Sequence, residues 1–462
     1  MYKGIIFNVF SSLLFVASSY LMHFVLGYEM TPEQYGIMGS IITILDFEYL
    51  FLNNGVRQSI SKEISKHKYV LSDLLLKCSV FQLLLIAILF SVNYFGSGIF
   101  CQILGDQTFD KYIKIAAFII PFNGLYVITL GVNEGFQKFT SSALIGIVYA
   151  VGKLCVIPFV LFIFQDPIMG TEMGLLTAII LAFLTGIFTL LINRKSFRST
   201  GVEKISIRYY AKNTLNFSLF FIIVSVVLSI DTLIVKAVSV NDDMAGFYTG
   251  AVNFAKVSYF ILSAFFTIIL PIITYHYEKK QYEKAIETVK NFNTIIIALV
   301  VPITVVISAT SAELLTTFYN EEYIVASSAL TLLSWSHLFM GITVLYNMVI
   351  AATGKKSFSS VLAVLVLIVN IPLTIAMTKY FDITGTAGAS IACTFFAMIV
   401  SVGYAKNDLK GIFEYTHLKI MGMNVLLWGL LELFIKNMKF TNIVFCKEAR
   451  PGNILFLFQQ LH

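Results

Sequence analysis

The chain has 462 residues, of which 58% are hydrophobic and only 13% are charged. A soluble protein of this length needs far more charge to cover its surface, so the composition excludes a soluble globular class and indicates a polytopic membrane protein. The net charge of +6 comes mostly from basic residues in the connecting segments. These residues indicate how the chain is oriented in the membrane, as described below. We therefore expect no nucleic-acid partner.

Apolar runs of about 20 residues recur along the whole chain, and each is long enough to cross a bilayer as a helix. The short alternating strands of a membrane barrel do not appear. The pattern predicts an all-α polytopic membrane protein with about 12–14 transmembrane helices. We place thirteen of them at roughly 5–26, 36–56, 72–95, 112–132, 143–164, 173–192, 214–236, 247–272, 293–311, 327–350, 359–379, 384–404 and 420–436.

The connections between these helices alternate in charge. Those after odd-numbered helices are acidic and carry residues such as Glu29, Glu33, Asp166, Asp242 and Glu321. Those after even-numbered helices are basic and carry residues such as Lys62, Lys138, Arg194, Lys279 and Lys406. Basic loops stay in the cytoplasm, so we expect a multi-pass protein of the plasma (inner) membrane with a cytoplasmic N-terminus.

Two local matches indicate an internal repeat. Tyr35-Gly36 and Ala245-Gly246 each open a helix after an acidic turn, 210 residues apart. Gly174-xxx-Ala178 and Gly388-xxx-Ala392 follow Gly-Thr pairs and lie 214 residues apart. This spacing predicts two pseudo-symmetric six-helix lobes. We divide the chain into an N-terminal lobe, a basic linker, a C-terminal lobe and a tail: 1–192, 193–213, 214–405 and 406–462. We expect the tail to hold one additional helix, or two if it includes a truncated fourteenth.

Charged and amide side chains at membrane depth are the candidate functional residues, because an intramembrane charge costs about 2.5–3.5 kcal/mol or more. They are Lys153, Lys256, Asp231, Asp46, Glu48 and Asn123. Asp46 and Glu48 differ by two positions and point roughly 200° apart on a helix. A purely structural interpretation remains open, in which Asp231 pairs with Lys256, and Lys153 with Asp46 or Glu48.

The functional interpretation is transport. Lys153 and Lys256 would line a cavity between the lobes and attract a pyrophosphate or an acidic sugar. The acidic residues would hold Na⁺ or H⁺ as a coupling ion, or orient the lysines. Prolines within helices permit the bending that alternating access requires; they are Pro121, Pro158, Pro302 and Pro372. No motif for a nucleotide, metal or other cofactor appears.

Several motifs resemble the polysaccharide biosynthesis membrane proteins, the O-antigen translocase-type flippases related to the multidrug and toxin extrusion (MATE) transporters. The motifs are IDTLIVKAVSVNDDMAGFYTGAVNFAKVSYFILSAFFTIILPII, EQYGIMGSIITI, NNGVRQSISKEI, GVNEGFQKF, AATGKKSF and DITGTAGASIA. The resemblance implies two six-helix bundles and alternating access for a polyprenyl-pyrophosphate-linked oligosaccharide. Asp231 matches the family's common acidic position and Arg57 its common basic one.

We therefore predict a flippase of lipid-linked oligosaccharides rather than an enzyme. Its partners would be that substrate, membrane lipids, and a glycan polymerase or glycosyltransferases of the same pathway. Two alternatives remain. A MATE-like drug exporter would need an acidic, lysine-poor cavity. A membrane glycosyltransferase or glycan polymerase would need charged clusters in its outer loops, and those loops are short here.

Overall fold

The computed structural model describes residues 2–195, 197, 201–353, 356–409, 411–412 and 414–438. The expected tail beyond residue 438, including the possible fourteenth helix, lies outside the described residues. Apart from one isolated parallel bridge between Tyr69 and Glu203, the described residues form no strand. The chain is an all-α polytopic membrane protein, as its composition predicts.

Backbone contacts divide the chain into two compact units, Met1–Val226 and Val227–His462. We call them unit 1 and unit 2. In unit 1 the α-helices are α1 Tyr2–Glu29, α2 Pro32–Leu50, α3 Gln58–Ser65, α4 Leu71–Phe95, α5 Ser97–Leu104, α6 Phe109–Ala116, α7 Ile119–Gly135, α8 Phe139–Lys153, α9 Val156–Pro158 and α10 Pro167–Asn193. Helix α11, Ile207–Val238, contains the division between the units.

The helices that follow are α12 Asp243–Glu278, α13 Tyr282–Ile295, α14 Val301–Ala309, α15 Ser311–Phe318, α16 Ser327–Ala352, α17 Lys356–Asp408 and α18 Tyr415–Met438. Eight helical stretches among the described residues are long and apolar enough to cross a membrane. One of them, within α17, extends over 50 residues. It joins the predicted eleventh and twelfth helices through a kink at Asp382, whose φ of 51° is left-handed.

Among the described residues, three π-helical segments interrupt the helices, at Phe51–Arg57, Phe159–Ile163 and Ile296–Val300. The second directly follows Pro158, and the third comes just before Pro302. Proline has no N–H to donate to the preceding turn, so the hydrogen-bond ladder shifts register beside it. The first segment contains no proline, and it ends on Arg57, a predicted site residue.

Small residues bring the helices of unit 1 into close backbone contact, as the Gly174-xxx-Ala178 pattern predicts. A Cβ on Gly174 would lie 2.6 Å from the Cα of Val156, and one on Gly152 would lie 3.0 Å from the Cα of Ala178. The corresponding Gly388 of unit 2 faces open space instead. The two glycines correspond in sequence, but the close backbone contact at Gly174 is not found at Gly388.

The predicted basic linker is partly attached to unit 1. The backbone N–H of Ile205 donates to Asp73 (2.9 Å), and Lys77 donates to the Ile205 carbonyl (2.6 Å). The side chain of Tyr210 is buried edge-on against Phe81 of α4. The end of the linker is already helical, because α11 begins at Ile207. These contacts fix the path of the chain into α11.

Candidate membrane-buried charge sites

Lys153 ends α8 with its side chain buried, only 9% exposed. Its Nζ donates a hydrogen bond to Ser19 Oγ of α1 at 2.9 Å. The same Nζ lies 3.8 Å from the ring centroid of Phe15 and 5.4 Å from that of Tyr149, which are cation–π contacts. An ammonium group has three N–H donors, so this environment uses one of them in a hydrogen bond.

No carboxylate forms an ion pair with Lys153 in the part of the chain that the structure describes. Of the two partners considered from the sequence, Asp46 lies within electrostatic reach of Lys153. Glu48 points elsewhere, and accepts a hydrogen bond from Asn93 of α4. Because Asp46 and Glu48 are two residues apart on α2, their carboxylates face different neighbours.

Arg57 is held by Glu134, which lies at the end of α7. Its Nε donates to Oε2 of Glu134 at 3.0 Å, and its Nη2 donates to Oε1. Its Nη1 donates to Asn53 at 3.4 Å. A Cβ on Gly131 would lie 2.9 Å from the Arg57 carbonyl, so a glycine is needed where α7 crosses the π-helical segment. The sequence contains Glu134 within GVNEGFQKF, but 77 residues separate it from Arg57, and no spacing rule predicts their pairing.

Asn123 lies in the second turn of α7. Its side chain is buried, and its Oδ1 has no hydrogen-bond partner among the described residues. The neighbouring Gly124 carbonyl accepts a hydrogen bond from Gln82 at 2.9 Å. Asn123 is not among the partners of Lys153 or Arg57, so the structure does not join these three predicted residues into one cluster.

Asp231 of α11 is 1% exposed, and hydroxyl and amide groups rather than a lysine surround its carboxylate. Tyr248 donates to Oδ2 at 2.7 Å, and Ser390 donates to the same atom at 3.3 Å. The backbone N–H of Thr232 donates to Oδ1 at 2.9 Å. Buried charge is tolerated when hydrogen bonds to it are this complete. Sequence inspection missed Tyr248 and Ser390, since hydroxyl residues are common in all of these helices.

Lys256 of α12 forms no ion pair with Asp231 among the described residues, although it lies within electrostatic reach of that carboxylate. The structural pair considered from the sequence is therefore absent. Lys256 also lies within electrostatic reach of His337 on α16. His337 is buried, and its Nδ1 is 3.0 Å from the Leu333 carbonyl. Lys153 belongs to unit 1, and Lys256 to unit 2.

Unit 2 also contains an apolar groove of about 540 Å³, lined by α14, α16, α17 and α18. The lining aromatic side chains include Trp335, Phe339 and Trp428. Lys406, Asn293 and Asn424 are the charged and amide residues among the lining side chains. These two amides are bonded to the backbone carbonyls of Ile412 and Ile297. The groove is thus mainly apolar, with Lys406 as the charged residue of its lining.

Comparisons with known proteins place this architecture in a family. Residues 1–277 match the family model described as polysaccharide biosynthesis protein, which is more than half of the chain. Residues 218–376 match the MatE family model. A search of curated proteins finds no match.

Three solved structures illustrate the similarity of fold. An inward-facing multidrug resistance MATE family transporter of the MOP superfamily has a TM-score of 0.71 at 13% identity, over 85% of this chain and 94% of that chain. The lipid II flippase MurJ, in an inward closed conformation, has a TM-score of 0.69 at 16% identity, over 96% and 100%. A mutant of the Vibrio cholerae MATE transporter VcmN has a TM-score of 0.62 at 13% identity, over 90% and 97%.

The solved structures of similar fold are transporters and a flippase rather than catalytic enzymes. The chain belongs to the polysaccharide biosynthesis protein family, and its fold is similar to that of the MATE transporter and MurJ structures.

Proposed function

We propose that this protein is a flippase that carries a lipid-linked, polyprenyl-pyrophosphate oligosaccharide across the plasma membrane by alternating access. The observation that carries the proposal is Lys153, a buried cation with spare N–H donors and no ion-paired carboxylate among the described residues. A pyrophosphate offers the negative oxygen acceptors that such a site lacks. Arg57, whose side chain is 31% exposed, is proposed as a second contact for the headgroup.

The apolar groove of unit 2 supports a lipid substrate. A polyprenyl chain is a flexible hydrocarbon, and the groove lined by Trp335, Phe339 and Trp428 provides an apolar surface for it. Lys406, which also lines the groove, suits an anionic headgroup. The MurJ structure, similar in fold over 96% of this chain, is named as a lipid II flippase.

Lys256 and Asn123 complete the proposed substrate contacts, with Asp46 and Glu48 as charge partners or ion sites. For coupling we propose that Asp231 binds Na⁺ or H⁺, since the hydroxyl oxygens of Tyr248 and Ser390 converge on its carboxylate. Oxygen atoms of this kind ligate hard cations. Glycosyltransferases and a glycan polymerase of the same pathway are the proposed functional partners, and the N-terminus is proposed to be cytoplasmic.

The decisive experiment is reconstitution of the full chain into liposomes that contain a fluorescent polyprenyl-pyrophosphate oligosaccharide. A membrane-impermeant quencher then reports how fast the label moves between leaflets. We expect movement that needs the protein and is inhibited by unlabelled substrate. Equal rates in protein-free liposomes would overturn the proposal.

A drug exporter remains the second candidate, because residues 218–376 match the MatE model. The same liposomes loaded with ethidium, an organic cation, test it. Protein-dependent ethidium movement without movement of the labelled lipid would establish the second candidate instead. The position of Lys153 disfavours this outcome, since a buried cation repels a cationic drug.

A further inference from the structure

A buried carboxylate in unit 1 has no role in the proposed transport site. Glu172 lies in the second turn of α10 and is 0% exposed. Neither of its Oε atoms has a hydrogen-bond partner among the described residues. Buried polar groups almost always have partners, and an exception needs a physical explanation.

The packing of α10 explains why Glu172 is enclosed. Gly170 and Gly174 bring one face of α10 against the backbone of α9 and the π-helical segment Phe159–Ile163. A Cβ on Gly170 would lie 3.1 Å from the Phe159 carbonyl oxygen, and one on Gly174 would lie 2.6 Å from the Cα of Val156. Glu172 lies two positions from each glycine, and therefore points roughly 200° away from them. Its side chain faces the other neighbours of α10, which include α6.

Three polar side chains link α6 to the start of α10. We call Lys111, Tyr112 and Asp166 the polar strap. Asp166 accepts hydrogen bonds at 2.9 Å from both Lys111 Nζ and Tyr112 OH of α6. Asp166 also caps α10 by accepting from the backbone N–H of Ile168 and Met169. Glu172 lies six residues further along, roughly 9 Å deeper on the helix axis.

Two charged groups lie within electrostatic reach of Glu172, namely Asp166 on its own element and Lys111 on α6. The Tyr112 hydroxyl is also within reach. The Lys111 ammonium is engaged with Asp166 and does not pair with Glu172. A carboxylate buried in an apolar interior with no hydrogen bond and no counter-ion is unfavourable, whereas a neutral carboxylic acid is tolerated.

We propose that Glu172 is a proton-binding site of unit 1, occupied as a neutral carboxylic acid behind the strap of Lys111, Tyr112 and Asp166. When the strap opens, the carboxylic acid O–H bond breaks and its proton passes to water. The resulting carboxylate then gains Lys111 as its counter-ion. Reclosing the strap requires Glu172 to take a proton back from water. This proposal does not depend on which substrate the protein carries.

Infrared spectroscopy of the lipid-reconstituted full chain tests the protonation state directly. A protonated carboxylic acid has a C=O stretching band that is separate from the carboxylate bands and shifts in D₂O. We expect this band in the spectrum of the wild type minus that of Glu172→Gln at neutral pH. Carboxylate bands in that difference spectrum would overturn the proposal.

The matched control is Glu203→Gln, at an exposed glutamate paired with Lys68. Its difference spectrum should contain carboxylate bands only. Glu172→Gln is an uncharged isostere of the neutral acid, so it should unfold at the same temperature as the wild type. Failure of this variant to fold would show that the ionised form is needed, and would also overturn the proposal.

The strap is tested separately with Lys111→Gln. Removing the positive charge disfavours the ionised carboxylate, so the protonated band should persist to higher pH than in the wild type. An unchanged titration would exclude Lys111 as the counter-ion. Loss of flipping with a normal infrared titration would concern the transport proposal alone, so the two failures are distinguishable.

Discussion

The two units bury opposite charges in different surroundings. Lys153 in unit 1 has one hydrogen bond, to Ser19, and two aromatic rings beside its ammonium group. Asp231 in unit 2 accepts from Tyr248, Ser390 and the Thr232 backbone, so both of its oxygens are occupied. Both side chains are at most 9% exposed.

The two buried side chains differ in how many hydrogen bonds their own neighbours provide, one for Lys153 and three for Asp231 among the described residues. The aromatic rings shield Lys153 from water without neutralising it, so its remaining donors are available to an anion. Asp231 already has the hydrogen bonds that a buried carboxylate needs. We therefore expect substitutions of Lys153 to affect transport most, and substitutions of Asp231 to affect folding stability most.

Lys153→Ala should give the largest functional loss. A hydrogen bond to a charged group contributes about 1.5–3 kcal/mol, which corresponds to a roughly 10- to 100-fold lower rate of lipid movement. The quencher assay with the labelled lipid-linked oligosaccharide measures it. Lys114→Ala is the control, because Lys114 is paired with Asp110 on the same helix. Wild-type movement by Lys153→Ala would remove this residue from the substrate site.

Asp231→Ala should cause the largest loss of stability. The hydroxyls of Tyr248 and Ser390 would lose their acceptor in a buried place, at a cost of about 1–3 kcal/mol. The denaturant dependence of unfolding in detergent micelles measures this loss. Asp231→Asn keeps a carbonyl acceptor and should lose less. Equal stability of the alanine variant and the wild type would contradict the hydrogen-bonded arrangement.

The Arg57–Glu134 pair should contribute more than an exposed ion pair. Its side chains are 31% and 17% exposed and joined by two parallel hydrogen bonds. A double-mutant cycle with Arg57→Gln and Glu134→Gln should give a coupling energy above about 1 kcal/mol. The control cycle is Lys68 with Glu203, which are 51% and 54% exposed and should couple by roughly 0–1 kcal/mol. Similar coupling in both cycles would mean that water screens Arg57 fully.

The sequence predicts the helices well because a bilayer demands about 20 apolar residues for each span. It predicts Lys153 and Asp231 as unusual residues for the same reason, since charge within such a span is costly, whereas Arg57 is identified through the family resemblance. It does not predict their partners. Tyr248, Ser390 and Glu134 come from other helices, and contacts between helices have no fixed spacing in sequence. The pairing of Asp231 with Lys256, which the sequence left open, does not form among the described residues, where hydroxyl groups donate to the carboxylate instead.

Asp166→Asn should give the smallest effect, and one that depends on pH. Partial burial acts to raise the pKa of Asp166, but hydrogen bonds from Lys111, Tyr112 and the Met169 backbone lower this pKa below its usual value. A carboxyl group with a lowered folded-state pKa stabilises the fold above its unfolded pKa of about 3.9, and loses this contribution as pH falls through the folded pKa. For a half-exposed pair the contribution is about 0.2–1 kcal/mol. Thermal unfolding of wild type and Asp166→Asn should therefore differ near pH 6 and converge in acid. A difference that persists at the lowest pH would mean that the carboxylate charge is not what stabilises the start of α10.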